Sequence, residues 1–277
     1  MRLKRAYTLL LSIFLLPGIT FSEIEQGVQA PQTRWMSEQY PPYNYIDPQG
    51  KARGISVEIL AAMWQQLGIP EQPLEFLPWA RSYTLLQRQP QTALFAMTYT
   101  PTREQLFRFV GPFIRTRIVL LAPRSARLQI TNNAEIEALK IGVVRDDIGA
   151  SLLNERGISQ DRIIHSNQAE NLIKLLHRGR VDAIAYSDDV AEWKMRKAGI
   201  DPQEYESVFT LLEGQLGFAF HAQTPAPWLN RLQQALEQVE ASGAAQKIRQ
   251  KYLLQQRLSA PKEGAHPLSP SAPGDFP

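Results

Sequence analysis

Short apolar runs alternate with apolar residues at helical spacing along this chain. Arg34–Ser37 and Leu74–Leu77 read as short strands, and Thr92–Met97 is apolar enough to be a buried one. Between the first two, Val57, Leu60, Ala61, Trp64 and Leu67 mark a helix from about Val57 to Leu67. Ser56 is its expected N-cap, Glu58 suits the first turn, and Gly68 and Pro70 stop it. A second helix is expected over Ser82–Gln87, and a short helical turn after Arg103. Ile118–Ala122, Lys140–Val144, Ile163–His165, Val181–Tyr186 and Leu216–Phe220 continue the strand series. Asn167 with Glu170 makes a capping-box-like start for a helix through Leu172, Leu175 and Leu176, closed by Gly179. Pro225 to Pro227 open a long helix with Trp228, Leu232, Ala235, Leu236 and Val239 on one face, and a final helix runs through Tyr252. Strands alternating with helices in two successive series predict an α/β protein of two units.

Composition narrows the class. The formal charge of +3 falls to 0 once Arg2, Lys4 and Arg5 are set aside, and no basic run interleaved with aromatics follows, so nucleic acid is not an expected partner. Those three cations open a segment with the parts of a secretory signal: the apolar run Tyr7–Leu16, then Thr20 and Ser22 placed before a cut near Glu23. Residues 1–22 are therefore expected to direct export. The absence of cysteine removes disulfides, thiolate catalysis and cysteine-held metals. The four histidines, 165, 177, 221 and 266, lack metal-ligand spacing, and neither a Gly-rich phosphate loop nor a G-x-S-x-G occurs, so no metal, cofactor or catalytic residue is expected. Residues 258–277, rich in Pro, Ser, Ala and Gly, are expected to form a disordered tail.

The richest chemistry lies in Ala96–Phe113, AMTYTPTREQLFRFVGPF. Thr98, Thr100 and Thr102 lead to Arg103 at the mouth of a strand. A guanidinium offers a planar two-pronged donor to a carboxylate, and hydroxyls fill its remaining lone pairs. Taken alone, the same residues also fit a solvated arginine at a helix start. Glu38-Gln39-Tyr40-Pro41-Pro42-Tyr43 must be a loop, because two prolines suit neither a strand nor a helix interior. Its tyrosines either pack the loop or present rings to a ligand at a strand end. Asp146 and Asp147 are sequence neighbours that point apart, so they read as a strand-to-helix loop with an acid near a helix N-terminus.

The hydroxyl, T-x-x-R and F-x-x-P pattern of this stretch resembles the bacterial extracellular solute-binding proteins of family 3, periplasmic amino-acid receptors of ABC importers. Y-P-P-Y followed by G-x-x-x-E-I-L-A-A-M, and L-x-x-G-R-V-D-A further on, resemble the same family in order and spacing, over about Arg34 to Tyr252. P-W-A-R and V-R-D-D look like one branch of it. The resemblance implies a type II periplasmic-binding-protein-like fold, with two α/β lobes joined by hinge strands and a ligand cleft between them. Lobe 1 would comprise residues 32–118 plus 218–257 and lobe 2 residues 119–217, with Ile118–Ala122 and Leu216–Phe220 as hinges. It implies that Arg103 holds a ligand carboxylate with help from Thr98, Thr100 being the motif threonine. Tyr40 would stack on the ligand, and Trp79 would face the cleft or anchor the next helix. Asp147 lies in a loop that touches ligand in the family, usually through Gly and Thr, and its presence is a departure. An aspartate after L-x-x-G-R-V-D-A often binds the ligand ammonium; Asp188 is the candidate, with Ser187 and Asp189 the neighbouring registers. The implied function is capture of an amino acid or similar carboxylate for the membrane permease of an ABC importer, by a monomeric periplasmic protein that is not an enzyme. The alternatives are a periplasmic dehydratase-like enzyme on the same scaffold and a stand-alone sensory protein.

Overall fold

In the computed structural model, residues 31–258 are described. The expected signal over residues 1–22 and the expected tail beyond Leu258 lie outside the described residues. Among the described residues, ten strands and nine α-helices follow one another: β1 (Arg34–Ser37), β2 (Tyr45–Ile46), β3 (Ala52–Arg53), α1 (Ile55–Gln66), β4 (Leu74–Phe76), α2 (Trp79–Arg88), β5 (Thr92–Thr98), α3 (Pro101–Leu106) and β6 (Phe107–Pro123). Next come α4 (Asn133–Glu137), β7 (Ile141–Val144), α5 (Ile148–Glu155), β8 (Ile163–Ser166), α6 (Ala169–His177), β9 (Ala183–Ser187) and α7 (Asp188–Lys197). β10 (Tyr205–His221), α8 (Ala226–Ala241) and α9 (Ala244–Leu258) complete the described residues. Among the described residues, no helix is long and apolar enough to cross a membrane.

Eight strands form one sheet in the order β4-β1-β5-β10-β6-β9-β7-β8. Its ends are two parallel triplets, β4-β1-β5 and β8-β7-β9. The antiparallel pair β6 and β10 joins them, with Phe107 opposite His221 at one end and Pro123 opposite Tyr205 at the other. The expected strands Ile118–Ala122 and Leu216–Phe220 are only the outer parts of this ribbon. Ile118–Leu121 pairs with β9, while Leu216–Phe220 pairs with β5. Between them Arg115, Thr116 and Arg117 face Gln215, Gly214 and Glu213 with no third strand alongside. In that bridge exposed residues flank the buried Thr116 and the half-buried Gly214, so it makes no apolar run and its length was not visible in the pattern.

The apolar runs do what their composition demands. β5 is buried at all seven positions, and with Trp35, Trp64 and Phe220 stacked edge to face at 5.4–5.5 Å it builds the core of the first half. In the second half Ile118, Leu120, Ile141, Val143, Leu152 and Ala185 form a separate core on the α5 side. On its other face, Leu172, Tyr186, Val190 and Met195 are continuous with the first half's core. The two halves are therefore packed against each other.

Three helix starts differ from expectation, each for a local reason. α1 begins at Ile55 with Gly54 as N-cap. Ser56 instead places its hydroxyl 2.7 Å from the Tyr43 carbonyl. Gly54 has φ 122°, and a Cβ there would sit 2.2 Å from the Tyr43 carbonyl oxygen, so this position needs glycine. α2 starts at Trp79 because the Pro78 carbonyl accepts from Arg81 and Ser82. α6 starts at Ala169 without a side-chain cap: the Glu170 carboxylate pairs with Lys194 at 2.7 Å rather than closing a capping box.

Candidate functional site

The C-terminal ends of the parallel strands of both halves converge on one cleft, the usual place for a ligand in α/β sheets. β1 leads into Glu38 and Tyr40, β4 into Trp79, and β5 into Thr98 and Arg103. From the other half, β7 leads into Asp147, β8 into Asn167, and β9 ends at Tyr186 and Ser187.

Arg103 is set by α3. Thr100 is the N-cap, and its hydroxyl accepts from the Arg103 backbone N–H at 3.2 Å. This fixes the backbone so that the side chain turns inward; only 3% of the residue is exposed. Nη1 donates to the Thr98 carbonyl at 3.2 Å. Nη2 is buried without a hydrogen-bond partner among the described residues. The guanidinium carbon lies 5.3 Å from the Trp79 ring centroid and 5.7 Å from that of Tyr83, an aromatic setting that favours a flat cation. Burial lowers the Arg103 pKa, opposed chiefly by the charge of Asp147.

Asp147 occupies the N-cap position of α5 and is 5% exposed. It is turned inward by Asp146, whose φ of 58° is a left-handed conformation that aspartate tolerates better than most residues. Burial raises the Asp147 pKa, with Arg103 as the main counterweight. Tyr40 stacks on Tyr43 at 5.5 Å and meets Tyr186 edge to face at 5.8 Å. The structure thus brings together Tyr40, Trp79, Thr98, Arg103 and Asp147. Thr98 contributes at least its backbone carbonyl.

Asp188 is not with them. Its carboxylate pairs with Arg117 at 2.6 Å, beside the bridge between the halves, where grooves of about 950 and 730 Å³ both include Asp188 and Arg117. Its neighbour Asp189 accepts from the Tyr43 hydroxyl at 2.9 Å. Of the three neighbouring registers, Ser187 lies deepest, fully buried with an unpartnered hydroxyl.

Sequence reasoning missed Glu38. It sits two residues before Tyr40 in the loop after β1, and strand-end position was the available signal. Burial drives its pKa well above the ordinary carboxylate range; Asp147 adds to the shift, while Lys194 and Arg103 oppose it. Tyr186, whose hydroxyl is buried and unpartnered, was missed as a site residue although β9 itself was expected. Tyr83 and Lys194 needed the tertiary fold to be seen.

The halves touch around this cluster through hydrogen bonds from one to the other. Trp79 Nε1 donates to the Asp146 carbonyl at 2.7 Å, and Lys194 Nζ to the Gln39 carbonyl at 2.9 Å. A cavity of about 330 Å³ remains at the mouth, walled by Glu38, Leu77, Pro78, Trp79, Asn167 and Gln168 among others. The arrangement gathers the Arg103 guanidinium, the Glu38 and Asp147 carboxyls and the rings of Tyr40, Trp79, Tyr83 and Tyr186, most of them buried and Glu38 and Tyr83 half-buried. It suits a small, multiply charged organic molecule better than an apolar one.

Residues 34–255 match the family model described as bacterial extracellular solute-binding proteins, family 3. No curated protein matches the sequence. Among solved structures, a histidine kinase sensor domain described as similar to periplasmic binding proteins superposes with a TM-score of 0.70 at 22% identity, over 80% of this chain and 96% of that one. A mutant of ArgBP from T. maritima gives 0.69 at 16% identity, over 80% and 96%. A substrate-binding protein of an ABC uptake transporter from Streptococcus pneumoniae, with bound histidine, gives 0.70 at 15% identity, over 83% and 94%. At these identities the likeness concerns the fold.

Proposed function

The chain belongs to the bacterial extracellular solute-binding proteins, family 3, and from that premise we propose that it is a periplasmic receptor capturing a small carboxylate-bearing ligand, an amino acid or a similar molecule, for the membrane permease of an ABC importer. The signal over residues 1–22 would be cut near Glu23, and the mature protein would act as a monomer. Lobe 1 is assigned to residues 32–118 plus 218–257 and lobe 2 to 119–217. Ligand favours the closed arrangement because only then do both lobes contact it.

The observation that carries this reading is the buried Arg103 guanidinium, with Nη2 lacking a protein partner. A ligand carboxylate beside it completes the donor set. Trp79 and Tyr40 supply ring faces and Thr98 orients the arginine. Asp147 takes the ligand ammonium from the second lobe, the role first given to Asp188. A second reading, ligand sensing for a signalling system, is favoured by the likeness to a histidine kinase sensor domain; it shares this binding step and differs in the partner.

The test is a thermal-shift screen of the protein against L-amino acids. A ligand at about 1,000 times its Kd raises stability by about 4 kcal/mol, which such an assay detects. Arg103→Ala should lose the shift, because a buried ligand carboxylate left unpaired costs roughly 2–5 kcal/mol. Arg103→Lys should recover part of it, keeping charge but losing the planar fork. Arg88→Ala, at the exposed end of α2, should keep it. Wild-type binding by folded Arg103→Ala would sink the clamp.

A further inference from the structure

We infer that Asp189 is a positioning residue: its carboxylate holds the Tyr43 hydroxyl across the junction of the halves, and through Tyr43 it sets the Tyr40 ring. The inference rests on the receptor reading proposed above, in which Tyr40 gives the ligand a ring face, and it concerns a residue that the ligand does not touch.

The two acids at the start of α7 divide their partners. Asp188 accepts from Arg117 Nε at 2.6 Å, and its other oxygen accepts from the Asp189 backbone N–H at 2.9 Å. One carboxylate therefore ties the first turn of α7 to β6 in the bridge and fixes the backbone of its neighbour. Asp189 Oδ2 is left to accept from the Tyr43 hydroxyl at 2.9 Å. Tyr43 belongs to the first half and is 1% exposed, so this bond joins one half to the other. Burial and the nearby Asp189 charge raise the Tyr43 pKa well above the ordinary tyrosine value, which keeps the phenol protonated and its hydroxyl a donor.

Tyr43 does not move alone. Its N–H donates to the Tyr40 carbonyl at 2.9 Å, and its carbonyl accepts from the Ser56 N–H at 2.9 Å and the Ser56 hydroxyl at 2.7 Å. The Tyr40 N–H donates to the Asn44 carbonyl at 2.7 Å, and the Asn44 side chain donates to the Glu38 carbonyl at 2.8 Å. The loop from Glu38 to Asn44 is thus one hydrogen-bonded unit. Within it the Tyr40 and Tyr43 rings stack at 5.5 Å with 29° between their planes, a preferred arrangement of aromatic pairs, so displacing one ring displaces the other. Asp189 lines the two grooves beside the bridge and is absent from the walls of the cavity at the cleft mouth. It reaches the site through Tyr43.

The experiment combines tyrosine NMR with binding. Protein carrying carbon-13 in its tyrosine rings is compared with Asp189→Ala, Asp189→Asn and Tyr43→Phe, the Tyr40 signals being assigned from Tyr40→Phe. In the ligand-free protein Asp189→Ala should shift the Tyr40 signals, and Asp189→Asn, which keeps an acceptor, should restore most of their position. Binding is followed by calorimetry and stopped-flow fluorescence with whichever standard L-amino acid gives the largest thermal shift. Asp189→Ala and Tyr43→Phe should each weaken it about tenfold, mostly through faster dissociation, and the double variant no further than either alone. Unmoved Tyr40 signals or wild-type affinity in folded Asp189→Ala would overturn the inference and leave the Arg103 clamp standing. Where Asp189→Ala does not fold, Tyr43→Phe decides by the same two readouts, since it keeps the ring and removes the bond. Additive losses in the double variant would show that Asp189 meets the ligand directly, which also overturns the inference. Absence of a thermal shift with every standard L-amino acid would instead remove the receptor reading, and the Tyr40 signals would still decide whether Asp189 sets the ring.

Discussion

Lys194 is an unusual cation to find buried, and it offers a test of closure separate from ligand contact. It projects from α7 of the second half with 4% of its side chain exposed. Its ammonium is held within its own half by Glu170 at 2.7 Å and from the first half by the Gln39 carbonyl at 2.9 Å. Only the second bond depends on the halves being together. In Lys194→Met the stem volume is kept and the charge is lost. Glu170 is half exposed, so losing that pair costs at most about 1 kcal/mol. Removing the burden of a desolvated ammonium offsets much of this, and the melting temperature should stay within a few degrees. The charge-assisted bond to Gln39 is a different matter. Such bonds contribute about 1.5–3 kcal/mol net, and on the proposed two-lobe reading this one belongs to the closed state alone. Affinity should therefore fall by roughly 10- to 150-fold, because ligand binding must then supply the closure energy that Lys194 no longer provides. The assay is calorimetry with whichever amino acid gives the largest thermal shift, and Lys174→Met, exposed on α6, serves as the control. Binding by Lys194→Met within about twofold of wild type, in a folded protein, would refute the argument.

Two further outcomes follow from the geometry. Gly54→Ala forces a side chain into φ 122° and against the Tyr43 carbonyl; urea unfolding should show a loss of about 3 kcal/mol or more, and a loss below 1 kcal/mol would mean that the loop relaxes freely. Glu38 gives a pH dependence, in a setting where Asp147 and Glu170 raise its pKa and Lys194 and Arg103 lower it, with burial the largest cause and the net direction up. A folded carboxyl with a raised pKa makes the ligand-free protein most stable below the ordinary glutamate value, with stability falling as pH rises through the raised one. Urea unfolding of the ligand-free protein should therefore show a loss of stability with rising pH that Glu38→Gln removes; the same pH profile in both proteins would argue against it.

The sequence was most informative where one physical requirement dominates a segment. Thr92–Met97 had to be buried and Gly68 and Gly179 had to end helices, whereas the inward turn of Arg103 was implied only by the family resemblance, since its neighbours alone also fit a solvated arginine at a helix start. Segments shared between two environments were harder to read. The centre of the β6–β10 bridge has polar residues on one side and buried ones on the other, and its strands were seen only where they enter a sheet. Glu170 was read as a helix cap because local rules see only neighbours in sequence, whereas its partner Lys194 lies 24 residues away. The same limit explains Asp188 and Asp189. Adjacent acids compete for local and distant partners, and Arg117 and Tyr43 come from other segments of the chain. Glu38 was missed because its importance comes from Asp147, which is far away in sequence and close in the electrostatics of the cleft.

In the resemblance to the family the Asp147 loop is a point of departure, and on the proposed reading Asp147 changes how the cleft works. A Gly or Thr in that loop would leave Arg103 with a neutral opposite wall, and a ligand carboxylate would face no competing charge. With Asp147 present, the arginine already has a counter-charge when the halves meet, and a carboxylate gains less from Arg103 unless something also engages Asp147. On the proposed reading, a ligand that binds only through its carboxylate would be selected against, as would a dicarboxylate, which brings a second negative charge toward Asp147. Discrimination of this kind comes from leaving the wrong ligand with unpaired buried charge, and attraction to the right one is only part of it. On the same reading, the hydrogen bonds that cross between the halves, from Trp79, Lys194 and Tyr43, would hold the cleft together around the buried Asp147 until a ligand ammonium engages it.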